Sequence, residues 1–267
     1  MLRAASRRRS ACVAAALLLA ALASFDSPAQ DRASPPDPPR SGLEFAGSDV
    51  RSMQADDFAN PGLLWVERGE RLWKGAQAGG SCASCHGDAA ASMRGVAARY
   101  PAFDSATGAV LDLEARINAC RVGHQQVKPL ERESDEMLAL TAYVAYQSRG
   151  LPIAVSIDGA ARAAFDRGRA LYATRHGQMN LSCAQCHEQN WGKRLYAETI
   201  SQGQPNAFPA YRLEWQNLGS LQRRIRACLF GIRAEMPRPG APELTDLELY
   251  LAWRAKGLKL EAPGVRR

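Results

Sequence analysis

The sequence predicts an all-α protein made of two tandem domains, and three observations support this prediction. Apolar residues recur at three- and four-residue spacing in four stretches, 62–75, 135–147, 160–174 and 244–255, as they do in amphipathic helices. No stretch alternates apolar and polar residues in the way that a half-buried strand would. Blocks of sequence from the first half also return, in the same order, in the second half.

The internal repeat has a constant offset. Residues 100–103 (Tyr-Pro-Ala-Phe) match residues 208–211 (Phe-Pro-Ala-Tyr), 108 positions further along the chain. Residues 116–123 match residues 224–231 at the same offset of 108, and both blocks contain the pattern Arg-Ile-x-Ala-Cys-x-x-Gly. Two homologous domains are therefore expected.

Each half ends in an apolar helical stretch that runs into a Gly-Leu pair, at Gly150 and again at Gly257. We therefore expect domain 1 to span 45–150 and domain 2 to span 151–267. Ser134 and Thr245 are the candidate caps near the starts of the last helix in each half.

The N-terminus has the features of a secretory signal peptide. Residues 1–23 combine a basic start with an apolar stretch and end on Ala21-Leu22-Ala23, a small-x-small cleavage pattern. A second cleavage site follows Ala29, and the alternative is an uncleaved membrane anchor. Residues 24–44, rich in Pro, Ser and Asp, are expected to form a flexible or wrapping arm. Such an exported chain is expected in the periplasm.

The charge balance excludes one class of partner. The full chain has a formal net charge of +7, but residues 1–23 contain four Arg and no acidic residue, which leaves +3 after cleavage. The propionates of any bound haem would reduce this further. Nucleic acid is therefore not an expected partner.

Two motifs predict covalently bound haem. Residues 82–86 read Cys-Ala-Ser-Cys-His and residues 183–187 read Cys-Ala-Gln-Cys-His. On a helical turn both cysteines can add across the two haem vinyl groups while the following His reaches the iron. Helix, motif, long loop and terminal helix is the order of a class I-like cytochrome c domain, so we expect two haem c groups, one in each domain. The expected attachment residues are Cys82, Cys85, Cys183 and Cys186, and the expected axial ligands are His86 and His187.

Three other uses of a Cys-x-x-Cys-His motif fit this sequence less well than haem binding does. A thioredoxin-type pair requires a strand–helix context that the sequence lacks. A zinc site requires two further ligands at matching spacing. Three disulfides among the six cysteines of the exported chain would leave both histidines without a role. Two motifs in a repeated unit favour haem over each of these.

Sequence spacing alone does not decide which residue is the second axial ligand of each iron. Met236 lies before the last helix, where small cytochromes c carry a Met ligand, but its counterpart in the first half is Lys128. The repeated isolated cysteines, Cys120 and Cys228, offer both haems the same thiolate ligand, which spacing favours over Met236.

A basic group stands near the second of these cysteines. Arg224 precedes Cys228 by four residues and thus lies one helical turn away on the same face. A guanidinium there can stabilise a thiolate and bind an oxyanion through two hydrogen bonds. Arg116 takes the matching place in the first half, where Glu114 and Glu131 are expected nearby, so the second half is the expected anion site.

The sequence resembles the SoxA family, the larger subunits of the SoxAX cytochromes of bacterial thiosulfate oxidation. The resemblance covers essentially the whole chain after the signal peptide. It rests on the following four blocks of residues: 113–121, 206–212, 219–228 and 231–235.

The resemblance implies a function and a set of partners. SoxA-like proteins pair with a one-haem cytochrome, SoxX, and couple thiosulfate oxidatively to a cysteine of the carrier SoxYZ, passing two electrons to c-type cytochromes. This activity is that of an L-cysteine S-thiosulfotransferase. By the same resemblance, Cys228 is the active residue, found as a persulfide, and Arg224 binds the substrate. The implied axial pairs are His86 with Cys120 and His187 with Cys228.

Two further functions are compatible with a dihaem chain. A thiosulfate dehydrogenase would join two thiosulfates to tetrathionate without a carrier. A plain electron-transfer cytochrome would use Met236 as ligand and leave Cys228 inert. Neither accounts for the repeated Arg-and-Cys block.

Overall fold

The computed structural model describes residues 38–76 and 79–267, and helices predominate in them. The predicted signal peptide at 1–23, together with the predicted arm up to residue 37, lies outside the described residues. The α-helices are α1 Ser48–Ala55, α2 Leu63–Lys74, α3 Cys82–His86, α4 Ala89–Ser92, α5 Leu113–Gly123, α6 Asp135–Tyr146, α7 Arg162–Ala173, α8 Cys183–His187, α9 Leu221–Gly231 and α10 Pro242–Arg254. No helix among the described residues is long and apolar enough to cross a membrane.

The structure also contains short strands, which the all-α prediction missed. The strands are β1 Ala102–Asp104, β2 Ala109–Leu111, β3 Arg194–Leu195, β4 Glu198–Thr199, β5 Ala210–Arg212, β6 Asn217–Gly219 and β7 Gly264–Arg266. They form two hairpins, β1–β2 and β3–β4, and one three-stranded sheet in which β5 pairs antiparallel with β6 and parallel with β7. Strands of two or three residues are too short to show an alternating pattern in sequence.

The four predicted amphipathic helices are confirmed as α2, α6, α7 and α10, whose ends lie within two residues of the predicted ones. The predicted cap at Ser134 is correct, since its hydroxyl accepts a hydrogen bond from the backbone N–H of Met137 at 3.3 Å. The predicted cap at Thr245 is wrong. The helix begins earlier, at Pro242, because a proline at the first helical position already has the required φ and needs no N–H partner.

Each half contains a pair of helices that cross closely at a glycine. In the first half α2 packs on α6, and a Cβ at Gly69 would lie 2.1 Å from the backbone oxygen of Ala139. In the second half α7 packs on α10, and a Cβ at Gly168 would lie 2.0 Å from the backbone oxygen of Asp246. Only glycine permits backbones to approach this closely. Both halves have the same order of elements: a helix, the motif helix, a hairpin and two further helices, of which the last packs on the first.

The chain before α1 packs on the C-terminal half. The backbone N–H of Arg40 donates to Gln202 Oε1 at 2.8 Å, and the Ser41 hydroxyl donates to Glu261 Oε1 at 2.6 Å. At the predicted domain boundary, Leu260 bonds to the last residue of the first half, since its carbonyl accepts a hydrogen bond from the N–H of Gly150 at 2.8 Å.

A buried polar cluster joins the two halves between α5, α9 and α10. Arg132 lies 2.7 Å from Asp112 and 3.1 Å from Glu114, and the Gln222 amide donates to Asp112 at 2.9 Å and to Glu248 at 3.4 Å. One guanidinium cannot neutralise three buried carboxylates. Burial and the neighbouring charge of Asp112 accordingly raise the pKa of Glu114 to about 8, and burial also raises the pKa of Glu248.

Candidate functional site

The first motif forms the short helix α3. The Ser81 hydroxyl caps it by accepting a hydrogen bond from the N–H of Ser84 at 3.0 Å. This single turn places Cys82 and Cys85 on one side, followed at once by His86. The imidazole of His86 lies beside the indole of Trp73, with 5.7 Å between ring centroids, and the Trp73 N–H donates to the carbonyl of Gly87 at 3.1 Å.

The second motif forms the matching helix α8, which has a more complete cap. Ser182 accepts from the N–H of Gln185 at 3.2 Å, and the side chain of Gln185 accepts from the N–H of Ser182 at 2.9 Å. This reciprocal pair is a capping box, which fixes the start of the turn. Cys183 and Cys186 are thereby held on one face of a rigid turn.

His187 is held by a neighbouring loop. Its Nδ1 lies 2.8 Å from the carbonyl oxygen of Ser201, so Nδ1 carries the proton and Nε2 is left as the ligating nitrogen. A Cβ on Gly203 would lie 2.8 Å from the imidazole Cγ, so the loop also packs directly on the ring. Burial lowers the pKa of His187, which favours the neutral imidazole that a metal requires.

All six cysteines among the described residues are free thiols, as covalent haem attachment requires, and none is paired in a disulfide. The structure places each isolated cysteine near the motif of its own half. Burial raises the pKa of the Cys183 thiol to about 11, and the nearby charge of Cys228 raises it as well. In the first half, burial raises the pKa of Cys82, and the charge of Cys120 adds to the increase.

Arg224 belongs to the same group of residues. It lies on α9 one turn before Cys228, and its charge contributes to the lowered pKa of His187. No acidic side chain pairs with Arg224 within the described part of the chain. Met236 follows α9 in the connection to α10 and is 41% exposed.

The expected surroundings of Arg116 in the first half need correction. Glu114 does not lie beside Arg116, because its carboxylate turns inward to Arg132 at 3.1 Å. The carboxylate that pairs with Arg116 is that of Asp104 in β1, at 3.5 Å. At the repeat offset of 108 the second half has Arg212 in place of Asp104.

Sequence reasoning also missed Arg254, the most buried cation of the site. It is 1% exposed, lies over the Tyr172 ring at 4.5 Å, and donates to the carbonyl of Gln202 at 3.1 Å. Its Nε lies 3.4 Å from a carboxylate oxygen of Glu188, the residue directly after the motif. No sequence pattern identified it, because it contacts the motif only through folding.

The residues around the second motif fit a haem. Nη2 of Arg254 and the hydroxyl of Tyr172 are buried without a hydrogen-bond partner. Buried donors are seldom left unsatisfied, and the carboxylates of a haem are acceptors of the required kind. Two thiols on one turn, a neutral histidine with a free Nε2 and unpaired donors nearby together meet the needs of covalent haem c.

Fold and site together define a c-type cytochrome with covalently bound haem c. A family model described as SoxA/TsdA, cytochrome c domain, matches residues 68–153.

Relatives over most of the chain give the family more closely. The chain is 43% identical to the L-cysteine S-thiosulfotransferase subunit SoxA of Pseudaminobacter salicylatoxidans, over 85% of this chain and 80% of that protein. It is 39% identical to the corresponding subunit of Paracoccus pantotrophus, over 85% of this chain and 78% of that protein. It also matches the crystal structure of SoxXA from P. pantotrophus with a TM-score of 0.83 and 38% identity, covering 86% of this chain and 87% of the other. The chain belongs to the SoxA family.

Proposed function

We propose that this chain is the subunit of an L-cysteine S-thiosulfotransferase that couples thiosulfate to a cysteine of a carrier protein. The observation that carries the proposal is the position of Arg224 and Cys228. Both lie on one face of α9, beside the second cysteine pair and His187. An anion-binding group is thereby placed one helical turn from a sulfur atom at a redox centre.

The proposed architecture is two tandem class I-like cytochrome c domains, at 45–150 and 151–267, with two haem c groups. Its support is the order of elements, which occurs once around each motif. The proposed attachment residues are Cys82, Cys85, Cys183 and Cys186. The proposed axial pairs are His86 with Cys120 and His187 with Cys228.

Each residue of the second site has a distinct task in this proposal. Arg224 binds the dianion and raises its local concentration. Cys228 supplies the reactive sulfur, which the guanidinium of Arg224 stabilises in its anionic form. Ser201 and Gly203 hold the His187 ring so that Nε2 keeps its direction. Arg254 fixes the same loop through the carbonyl of Gln202.

The overall reaction defines what the site must do. A sulfur–sulfur bond forms between the terminal sulfur of thiosulfate and the carrier cysteine, whose S–H bond breaks, with release of one proton and two electrons. Haem c, when bound, accepts electrons one at a time. The positive charge of Arg224 favours approach of the anion to Cys228, one helical turn away.

The partners and location follow from the same family. We infer a heterodimer with a SoxX-like one-haem cytochrome, which the crystal structure of SoxXA from P. pantotrophus supports. We also infer a SoxYZ-like carrier, thiosulfate as substrate and a c-type cytochrome as electron acceptor. The predicted signal peptide at 1–23 supports a periplasmic location.

The proposal is tested by following thiosulfate-dependent haem reduction in the complex with its one-haem partner and the carrier. Wild type and Cys228→Ala are compared, with haem content measured in both. The proposal predicts carrier conjugation by the wild type and loss of conjugation in the variant with both haems still attached. Tetrathionate formation without any carrier would instead indicate a thiosulfate dehydrogenase. Full activity of Cys228→Ala would indicate an electron-transfer cytochrome.

A further inference from the structure

The two halves of the chain can be compared position by position. The hairpin β1–β2 pairs Ala102 with Leu111, and the hairpin formed by β5 and β6 pairs Ala210 with Gly219, so both registers match at the repeat offset of 108. The helices that follow begin at Leu113 and Leu221, at the same offset. Residues related by 108 positions therefore occupy equivalent places in the two halves.

The first half contains an arginine that is neutralised within the chain. Arg116 on α5 lies 3.5 Å from the carboxylate of Asp104 at the end of β1. This ion pair connects the first hairpin to the helix that carries Cys120. An anionic ligand approaching Arg116 would have to compete with that carboxylate.

The second half has an arginine in place of that carboxylate. Arg212 ends β5 as Asp104 ends β1, and Arg224 stands on α9 as Arg116 stands on α5. Arg212 is only 7% exposed, and its Nε has no hydrogen-bond partner. Its Nη2 donates to the exposed side chain of Glu214 at 3.1 Å, and its guanidinium lies 5.2 Å from the centre of the Trp215 ring.

The two arginines of the second half act on each other. Burial and the charge of Arg224 lower the pKa of Arg212, and the charge of Cys228 acts in the opposite direction. Arg212 is buried and Arg224 is half-buried, and two positive charges near each other in such surroundings are unfavourable unless an anion offsets them. Glu214 offsets part of this charge, but it is half-exposed and leaves Nε unsatisfied.

We propose that Arg212 is a second substrate-binding residue, which together with Arg224 forms a two-arginine site for the sulfonate end of thiosulfate. The inference rests on the proposed function. A tetrahedral oxyanion with three oxygens can accept hydrogen bonds from two guanidinium groups while its terminal sulfur points to Cys228. In the first half Asp104 takes the place of the second guanidinium, so the equivalent site is closed to anions.

The test compares a graded set of variants in the haem-loaded complex with its one-haem partner. Arg212→Gln removes the charge, and Arg212→Asp introduces the carboxylate found in the first half. Arg212→Lys keeps the positive charge but lacks the planar guanidinium group, which can donate two parallel hydrogen bonds. The matched control is Arg223→Gln, which changes the net charge by the same amount. Arg223 contacts Trp215 and Glu133 and is not part of the proposed site. Thiosulfate binding is measured by titration calorimetry without carrier, and sulfate serves as a second probe.

The expected result is a graded loss of affinity. Arg212→Gln should weaken thiosulfate binding about 10- to 100-fold, the loss expected for a charge-assisted hydrogen bond. Arg212→Asp should weaken it further, Arg212→Lys should recover part of it, and Arg223→Gln should bind as the wild type does. In turnover the same variants should raise KM more than they lower kcat.

Three results would overturn the inference. The first is wild-type affinity in Arg212→Gln and Arg212→Asp. The second is an equal loss in Arg223→Gln, which would indicate a general charge effect. The third is a shift of haem reduction potential or a loss of haem with unchanged affinity, which would assign Arg212 to a haem propionate. In each case, continued carrier conjugation by the wild type would leave the proposed function standing.

Discussion

The substitution Gly203→Ala tests how the second histidine is held. A Cβ on residue 203 would lie 2.8 Å from the Cγ of His187, whereas ordinary contacts begin at 3.4 Å, so ring and loop would have to separate by about 0.6 Å. The backbone at Gly203 is also left-handed, with φ of +69°. That conformation costs a non-glycine residue roughly 1–2 kcal/mol, and overpacking adds about 1–3 kcal/mol.

Gly192→Ala is the matched control. Gly192 has a similar φ of +84°, but a Cβ there would meet nothing within 4 Å. Both variants incur the backbone cost, and only Gly203→Ala moves His187. We therefore expect the free energy of unfolding of Gly203→Ala to be lower than that of Gly192→Ala by about 1–3 kcal/mol.

Two assays follow the two effects. Denaturant unfolding of the haem-loaded protein gives the difference in free energy, and electron paramagnetic resonance of the oxidised protein reports the ligand field at each iron. We expect the signal of the second haem to change in Gly203→Ala and to stay unchanged in Gly192→Ala. Equal stability and identical spectra in both variants would refute the conclusion that this loop positions His187.

Three more predictions concern packing, protonation and charge. Gly168→Ala should lower the free energy of unfolding by about 3 kcal/mol or more, because its Cβ would meet the backbone oxygen of Asp246 at 2.0 Å; thermal melting measures this. The pKa of Glu114 is raised from 4.5 to about 8, so between these pH values the folded state holds a proton that the unfolded state has released. The free energy of unfolding should therefore fall as the pH rises through this range, by up to about 1.4 kcal/mol per pH unit. Glu114→Gln should remove this part of the slope in denaturant melts at pH 5, 7 and 9. Arg254→Met should lower the reduction potential of the haem bound by His187 by on the order of 60 mV in a spectroelectrochemical titration, because a buried cation favours the reduced state.

Each of these predictions has a contradicting outcome. A wild-type melting temperature in Gly168→Ala would mean that the helix pair does not depend on close backbone contact. An unchanged pH slope in Glu114→Gln would place the bound proton on another carboxyl of the buried cluster. An unchanged potential in Arg254→Met would mean that the charge of Arg254 is fully balanced by Glu188.

The helices were predictable from sequence because their burial is periodic. The stretches at 62–75 and 160–174 repeat apolar residues at helical spacing, and α2 and α7 lie there. The start of α10 was mispredicted, because a polar residue, Thr245, was favoured over Pro242 as the signal for a helix N-terminus. The strands could not be predicted, because segments of two or three residues are too short to show alternation, and β7 at the C-terminus also depends on a distant partner, β5.

The site was predictable where its residues form a short motif or recur in the internal repeat. The attachment cysteines and the following histidine could be predicted, because covalent haem binding places all three within one five-residue motif. Arg254 and the carbonyl of Ser201 were missed, because folding brings them to His187 from 67 and 14 residues away. Arg212 was within reach of sequence reasoning, since the repeat aligns it with Asp104 and shows a reversal of charge.

The central claim is that thiosulfate is coupled to the carrier at Cys228 and not at its counterpart Cys120. The most direct test is mass spectrometry of the carrier after incubation with thiosulfate, an oxidised cytochrome c and the complex with its one-haem partner. Cys228→Ala and Cys120→Ala are compared with the wild type, each with its haem content measured. The account predicts that Cys228→Ala leaves the carrier unmodified and that Cys120→Ala still yields the thiosulfonate adduct. Adduct formation by Cys228→Ala would contradict the account.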